Sequence, residues 1–187
     1  MRVWAIANQK GGVGKTTTTL ALGRGLAMRG HRVLLVDLDP HASLTRAFGV
    51  ATDPQPTGVL ELFDEQPPTL ASVARATEIE NLAFVPAQTP LATLERRSAT
   101  QPGLGLALSN ALARGGTAYD YVLFDCPPTL GLLMVNALAA ADHVIIPTQT
   151  EPLALHDRPQ HLMNGVEVAE DHRRLDRVAG GARQQLQ

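Results

Sequence analysis

The segment Lys10-Gly11-Gly12-Val13-Gly14-Lys15-Thr16-Thr17 constrains this 187-residue chain more than any other. A short apolar run, Val3 to Ala7, precedes it. A helical pattern follows from Lys15 to Met28, with Leu22, Leu26 and Ala27 on one side. Glycines in a turn between strand and helix leave backbone N–H groups open to an anion, with no Cβ in the way. The helix that opens at Lys15 adds the N–H groups of its own first turn. Lys15 supplies a point charge for the β and γ phosphates of a nucleotide, and the Thr16 hydroxyl is placed to ligate Mg²⁺. The common form of such a loop, G-x-x-x-x-G-K-[ST], asks for glycine where this chain has Gln9. A second lysine, Lys10, stands next to Gln9.

Gly30 reads as the C-cap of the first helix, and Arg32 to Asp37 is a second apolar run. Strand, helix and strand over this length make a βαβ unit, and continuous apolar runs suit strands covered on both faces of a parallel sheet. Further strands are expected at Leu82 to Pro86, Tyr121 to Asp125 and His143 to Pro147, with helices at Leu104 to Arg114 and Leu130 to Ala141. Residues 53–58 and 66–69 read as loops. The fold class is therefore α/β: a three-layer P-loop NTPase fold with a mostly parallel sheet flanked by helices. Residues 1–156 are expected to form the nucleotide-binding domain. Residues 157–187 are expected to be a divergent polar C-terminal helix or tail of the same domain. The rival reading of that tail is a short basic arm carrying Arg173, Arg174, Arg177 and Arg183.

Two acidic positions accompany the glycine-rich turn. Leu35 to Pro40 places Asp37 and Asp39 at the C-terminal end of the second strand, where ligands of open α/β sheets gather. The two are expected to take separate jobs, one in a metal shell and one orienting water. Tyr121 to Pro128 places Asp125 at the end of an apolar strand, the setting of an acid that holds Mg²⁺ directly or through water.

Composition narrows the classes. Sixteen Lys and Arg against eighteen Asp and Glu give a net charge of −2, so DNA contact would have to come from a local patch. The single cysteine, Cys126, cannot form an intrachain disulfide and rules out a Cys-rich zinc site. Leu130 to Ala141, the longest apolar stretch, is too short to span a bilayer, and the N-terminus does not read as a signal peptide. A cytoplasmic protein is expected.

Taken together, KGGVGKTT, LVDLDP and YVLFDCPP resemble the deviant Walker A ATPases of the ParA/MinD family. The resemblance covers about Met1 to Leu155 and is nearest the ParA branch, in the strings ANQKGGVGKTTTTLAL and VLLVDLDPHAS. Leu91 to Arg97 and Thr150 to His156 further resemble ParA-like ATPases of flagellar and chemotaxis gene clusters. The resemblance implies ATP and Mg²⁺ as ligands, with Gly11, Gly12, Val13, Gly14, Lys15, Thr16 and Thr17 forming the cradle and Thr17 at the α-phosphate. It implies that Lys10 reaches into the ATP site of a second copy, that Asp39 positions the attacking water, that Asp37 supports the metal shell, and that Asp125 holds the metal. It implies a slow ATPase whose ATP-dependent homodimer positions or partitions a cargo, either DNA or a polar chemotaxis complex. An activating partner, ParB-like or a polar adaptor, would stimulate it, and non-specific DNA binding would depend on C-terminal residues. Family members continue for another two strands and several helices, so a C-terminally shortened fold is an open alternative. Two other functions stay open: a MinD-like membrane-cycling ATPase, and a degenerate nucleotide-binding module.

Overall fold

The computed structural model describes residues 1–97, 104–115, 118–149 and 166–169. Among the described residues seven strands form one sheet, in the order β3-β4-β2-β5-β1-β6-β7. They are β1 (Arg2–Ile6), β2 (Val33–Asp37), β3 (Arg75–Ala76), β4 (Leu82–Val85), β5 (Tyr121–Asp125), β6 (His143–Pro147) and β7 (Val166–Ala169). The five inner strands run parallel, and the two edge strands pair antiparallel, β3 on β4 and β7 on β6. The expected α/β fold with a mostly parallel sheet is the one observed.

The apolar runs explain the sheet. All five side chains of β2, VLLVD, are buried, as a strand covered on both faces requires. Alternate residues feed two cores. Leu34, Val36, Val122, Phe124, Val3 and Ala5 join one cluster, and Val33, Leu35, Leu123, Ile6, Phe84 and Ile145 join the other. The first is covered by α3 (Leu70–Val73), α4 (Leu91–Arg97), α5 (Ala107–Gly115) and α6 (Leu132–Ala140). The second is covered by α1 (Lys15–Ala27) and α2 (Ser43–Ala47). Helix, sheet and helix make the three layers.

The elements expected from sequence fall within two residues of those observed, except that Leu104 to Arg114 splits into a 3-10 turn (Leu104–Leu106) and α5. Asn136 lies fully buried on the apolar α6. Its Nδ2 donates to the carbonyls of Leu104 (2.8 Å) and Leu132 (3.0 Å), and its Oδ1 accepts from the Leu108 N–H at 3.2 Å. A residue that interrupts an apolar pattern thus serves to join two helices. The strand β7 was not anticipated: it lies inside the segment 157–187 expected as helix or tail. The basic-arm arginines and Thr150 to His156 lie outside the described residues.

The chain between α2 and α3 packs closely. A Cβ at Gly58 would run into the backbone carbonyl oxygen of Pro86, whereas a Cβ at Gly25, exposed on α1, meets nothing within 4 Å. Gly58→Ala is therefore expected to destabilise the fold by about 1–3 kcal/mol. Gly25→Ala is expected to stabilise it by about 0.5–1 kcal/mol. Urea denaturation of the two variants beside the wild type checks both signs.

Candidate functional site

The glycine-rich turn joins β1 to α1 at the C-terminal edge of the sheet. Gly12 and Gly14 hold φ values of 73° and 89°, in the left-handed region that other residues enter only with strain. A Cβ on Gly11, Gly12 or Gly14 would meet no protein atom within 4 Å, so this face of the loop opens onto free space. Gly14 is the N-cap of α1. No side chain caps that helix, and no acid sits in its first turn. The N–H groups and positive dipole end of α1 are thus left for an external anion.

Two side chains fasten the loop to the end of β6. Asn8 donates from Nδ2 to the Pro147 carbonyl (2.8 Å) and accepts the Lys10 N–H at 2.9 Å. Gln149 donates from Nε2 to the Gly12 carbonyl at 2.9 Å. Lys15 is buried, and its Nζ donates to the Lys10 carbonyl at 3.2 Å. Val13 is buried beneath the loop, while Lys10 is exposed at its rim.

Facing this cradle are the acids. Parallel register sets Asp37 beside Asp125 on β2 and β5, with Asp125 level with Ile6 on β1. Asp125 is 1% exposed, and its Oδ2 has no hydrogen-bond partner among the described residues. Burial pushes its carboxyl up to about 7, with the charges of Asp37 and Asp39 acting in the same direction and the Thr16 and Thr19 hydroxyls acting against it. Thr19 Oγ1 lies 3.0 Å from the Lys15 carbonyl and 3.4 Å from Asp125 Oδ1.

Asp37 is fully buried, and burial raises it to about 6. Its Oδ2 accepts from the Thr45 N–H (2.8 Å) and the Thr45 hydroxyl (2.7 Å), and its Oδ1 accepts from the Asp39 N–H (3.2 Å). Thr45 Oγ1 in turn accepts the Ala87 N–H at 2.9 Å. Asp37 thus braces the turn between β2 and α2. Asp39, on that turn, is 16% exposed at its side chain. Residues i and i+2 would share one face of a continued strand. The two acids differ in setting because β2 ends at Asp37, leaving Asp39 in the turn.

The fold thus gathers Lys15, Thr16, Asp37, Asp39 and Asp125 in one place. Thr17 is exposed and borders a separate groove of about 970 Å³ beside α1, with Leu20, Arg24, Phe48 and Phe84 also on its wall. Cys126 is fully shielded, and its thiol is raised far above the usual range by that burial. Asn8, Thr19, Thr45 and Gln149 join the site without having been expected from the sequence. Thr19 alone carried a signal, standing one helical turn after Lys15. The others act through tertiary contacts.

A buried carboxylate oxygen without a donor, among three acids and next to a helix N-terminus, is the setting a divalent cation completes. The donors are all oxygen, as Mg²⁺ requires. Among the described residues no group of three or more His, Cys, Asp or Glu forms a metal cage of its own. A cation here would share its coordination with an anionic ligand and water. Also among the described residues, no helix is long and apolar enough to cross a membrane.

The family model that matches, described as an AAA domain, covers residues 1–176. The chain is 40% identical over 180 residues to the sporulation initiation inhibitor protein Soj of Bacillus subtilis, covering 96% of this chain and 70% of Soj. It is 40% identical over 169 residues to the chromosome partitioning protein ParA of Caulobacter vibrioides, covering 89% of this chain and 62% of ParA. Among solved structures it superposes on cobyrinic acid a,c-diamide synthase of Mycobacterium smegmatis with bound ATP analogue and magnesium. The TM-score is 0.79 at 37% identity, over 98% of this chain and 69% of that one. The chain thus spans roughly two thirds of the length of these relatives.

The acids give the nucleotide-free protein a defined pH response. Asp125 and Asp37 hold protons in the native state that the unfolded chain has already lost between about pH 4 and pH 7. Their contribution to stability is complete below that window and is lost as pH rises through it. Asp120, held down to about 2 chiefly by its hydrogen bond from Arg32, acts below the window. Urea midpoints without Mg²⁺ are expected to fall across it by an amount on the order of a few kcal/mol in stability. Asp125→Asn is expected to flatten that fall.

Proposed function

The chain belongs to the ParA/MinD family of P-loop ATPases, and on that basis we propose that it binds ATP with Mg²⁺, hydrolyses it slowly and dimerises only while ATP is bound. The observation that carries this reading is the junction of an open, uncapped phosphate cradle with a buried, partnerless carboxylate oxygen. One feature alone would suit an anion or a cation. Together they suit a phosphate chain carrying its own metal.

Each residue then has a role. The N–H groups of Gly11 to Thr16 surround the phosphates, and Lys15 places its charge on the β and γ groups. Thr17, in the first turn of α1, contacts the α-phosphate. Thr16 and Asp125 hold Mg²⁺, which when bound spreads the negative charge that builds up in phosphoryl transfer. Asp37 supports that shell indirectly, since its hydrogen bonds fix the turn bearing Asp39. Asp39 orients the water that attacks the γ-phosphorus. Lys10, exposed at the rim, serves the site of a second copy, adding positive charge only when two protomers meet. ATP then controls association, and hydrolysis ends it.

What the dimer moves follows from the relatives' named activities, chromosome partitioning above all. We assign this chain a DNA-partitioning role in the cytoplasm, driven by a partner protein that stimulates hydrolysis. A polar chemotaxis complex as cargo rests only on the sequence strings given above. No observation among the described residues favours the membrane-cycling alternative.

Two substitutions separate binding from turnover. Lys15→Ala is expected to lower affinity for a fluorescent ATP analogue by at least about tenfold, since a charge-assisted contact to phosphate is lost. Asp39→Ala is expected to keep that affinity and to lose phosphate release. Tight analogue binding by the lysine variant would reject the cradle, and unchanged turnover in the aspartate variant would remove Asp39 from the mechanism.

A further inference from the structure

The Asp39 carboxylate carries a histidine ring from its own turn. Its Oδ1 accepts the His41 backbone N–H at 2.9 Å and lies 3.0 Å from His41 Nδ1. The His41 side chain is 79% exposed, against 16% for that of Asp39. An exposed histidine gains nothing from burial by lying there, so among the described residues the carboxylate is what anchors the ring. A carboxylate oxygen only accepts hydrogen bonds, so the ring carries its hydrogen on Nδ1 and presents Nε2 to solvent. Both donors from residue 41 meet the same oxygen. Oδ1 is saturated from its own turn, and Oδ2 is the oxygen left to meet water.

The turn that carries this pair is itself held in place. The Ala42 N–H donates to the Asp39 carbonyl at 2.7 Å, and Ala42 adopts φ 53°. Asp37 accepts the Asp39 N–H on Oδ1 and the Thr45 N–H on Oδ2. The backbone is therefore fixed at both ends of the turn, and the main freedom left to Asp39 is rotation about its side-chain bonds. A second donor on Oδ1 restricts that rotation.

The geometry points to His41 as a positioning residue for Asp39, whose ring holds Oδ1 and thereby aims Oδ2 at the attacking water. This rests on the role given to Asp39 above. His41 itself touches neither phosphate nor water in this scheme. It sets the fraction of time that Asp39 spends in the productive rotamer, which acts on turnover and leaves ATP binding unchanged.

Asparagine places its Nδ2 close to where the histidine Nδ1 lies and has no counterpart of Nε2, so it separates holding from proton acceptance. His41→Ala is expected to lower kcat about three- to tenfold, the size of one lost hydrogen bond, with the KM for ATP within about twofold. His41→Asn is expected to restore kcat to within about twofold of wild type. Asp39→Ala is measured in the same assay. If it loses turnover while His41→Ala does not, or if His41→Asn falls as far as His41→Ala, the positioning role is overturned and Asp39 stands. If Asp39→Ala keeps full turnover, the reading beneath it has failed. A nucleotide-free readout is independent of activity. Ring ¹⁵N shifts of His41 are expected to report hydrogen on Nδ1 in the wild type, reverting to Nε2 in Asp39→Ala. The Nε2–H tautomer in the wild type would overturn the contact.

Discussion

Three carboxylates in one patch, one of them with a buried oxygen that no donor among the described residues reaches, is the constraint on which the rest of the structure turns. Parallel pairing forces it. β1, β2 and β5 run the same way in adjacent positions, so the residues at their C-terminal ends meet, and two of those residues are Asp37 and Asp125. Each raised carboxyl marks free energy set against the charged form, and the apolar clusters on both faces of the sheet offset that cost. The opposite deficit lies a few residues away, where α1 begins with no cap and no acid. A ligand that brings phosphate to one and a cation to the other relieves both.

Around that core of charge the fold supplies rigidity. Asn8 and Gln149 tie the loop to the end of β6, Thr19 ties α1 to Asp125, and Thr45 links the ends of β2 and β4 through Asp37. Every one of these ties joins two different elements at the same edge of the sheet. Groups held this way need little reorganisation when a ligand arrives, which is what electrostatic stabilisation of a reaction asks for.

Much of this was legible before the fold was known. Buried strands such as VLLVD and YVLFD announce themselves because covering both faces demands unbroken apolar residues. The turn from Lys10 to Thr17 does so because the positive φ angles at two of its positions, Gly12 and Gly14, favour glycine. The short elements were not legible. α2 is five residues long and is held by the bond from its own Thr45 to Asp37, while β3 is two residues long and exists only as the edge of β4. Their cause is tertiary, and no local period reports it. The ring contact of His41 was invisible for the same reason: its sequence position says only that it follows Asp39 by two residues. The edge strand β7 sits in a stretch whose composition suggested solvent.

In the proposed function, charge at the cradle's rim is the switch between one copy and two. Light scattering on a sizing column tests that most directly, first with ADP and then with a slowly hydrolysed ATP analogue, both with Mg²⁺. The expected result is the monomer mass of 19.9 kDa with ADP and twice that mass with the analogue, with Lys10→Ala remaining monomeric in both. A wild-type mass that is the same with either nucleotide would contradict it.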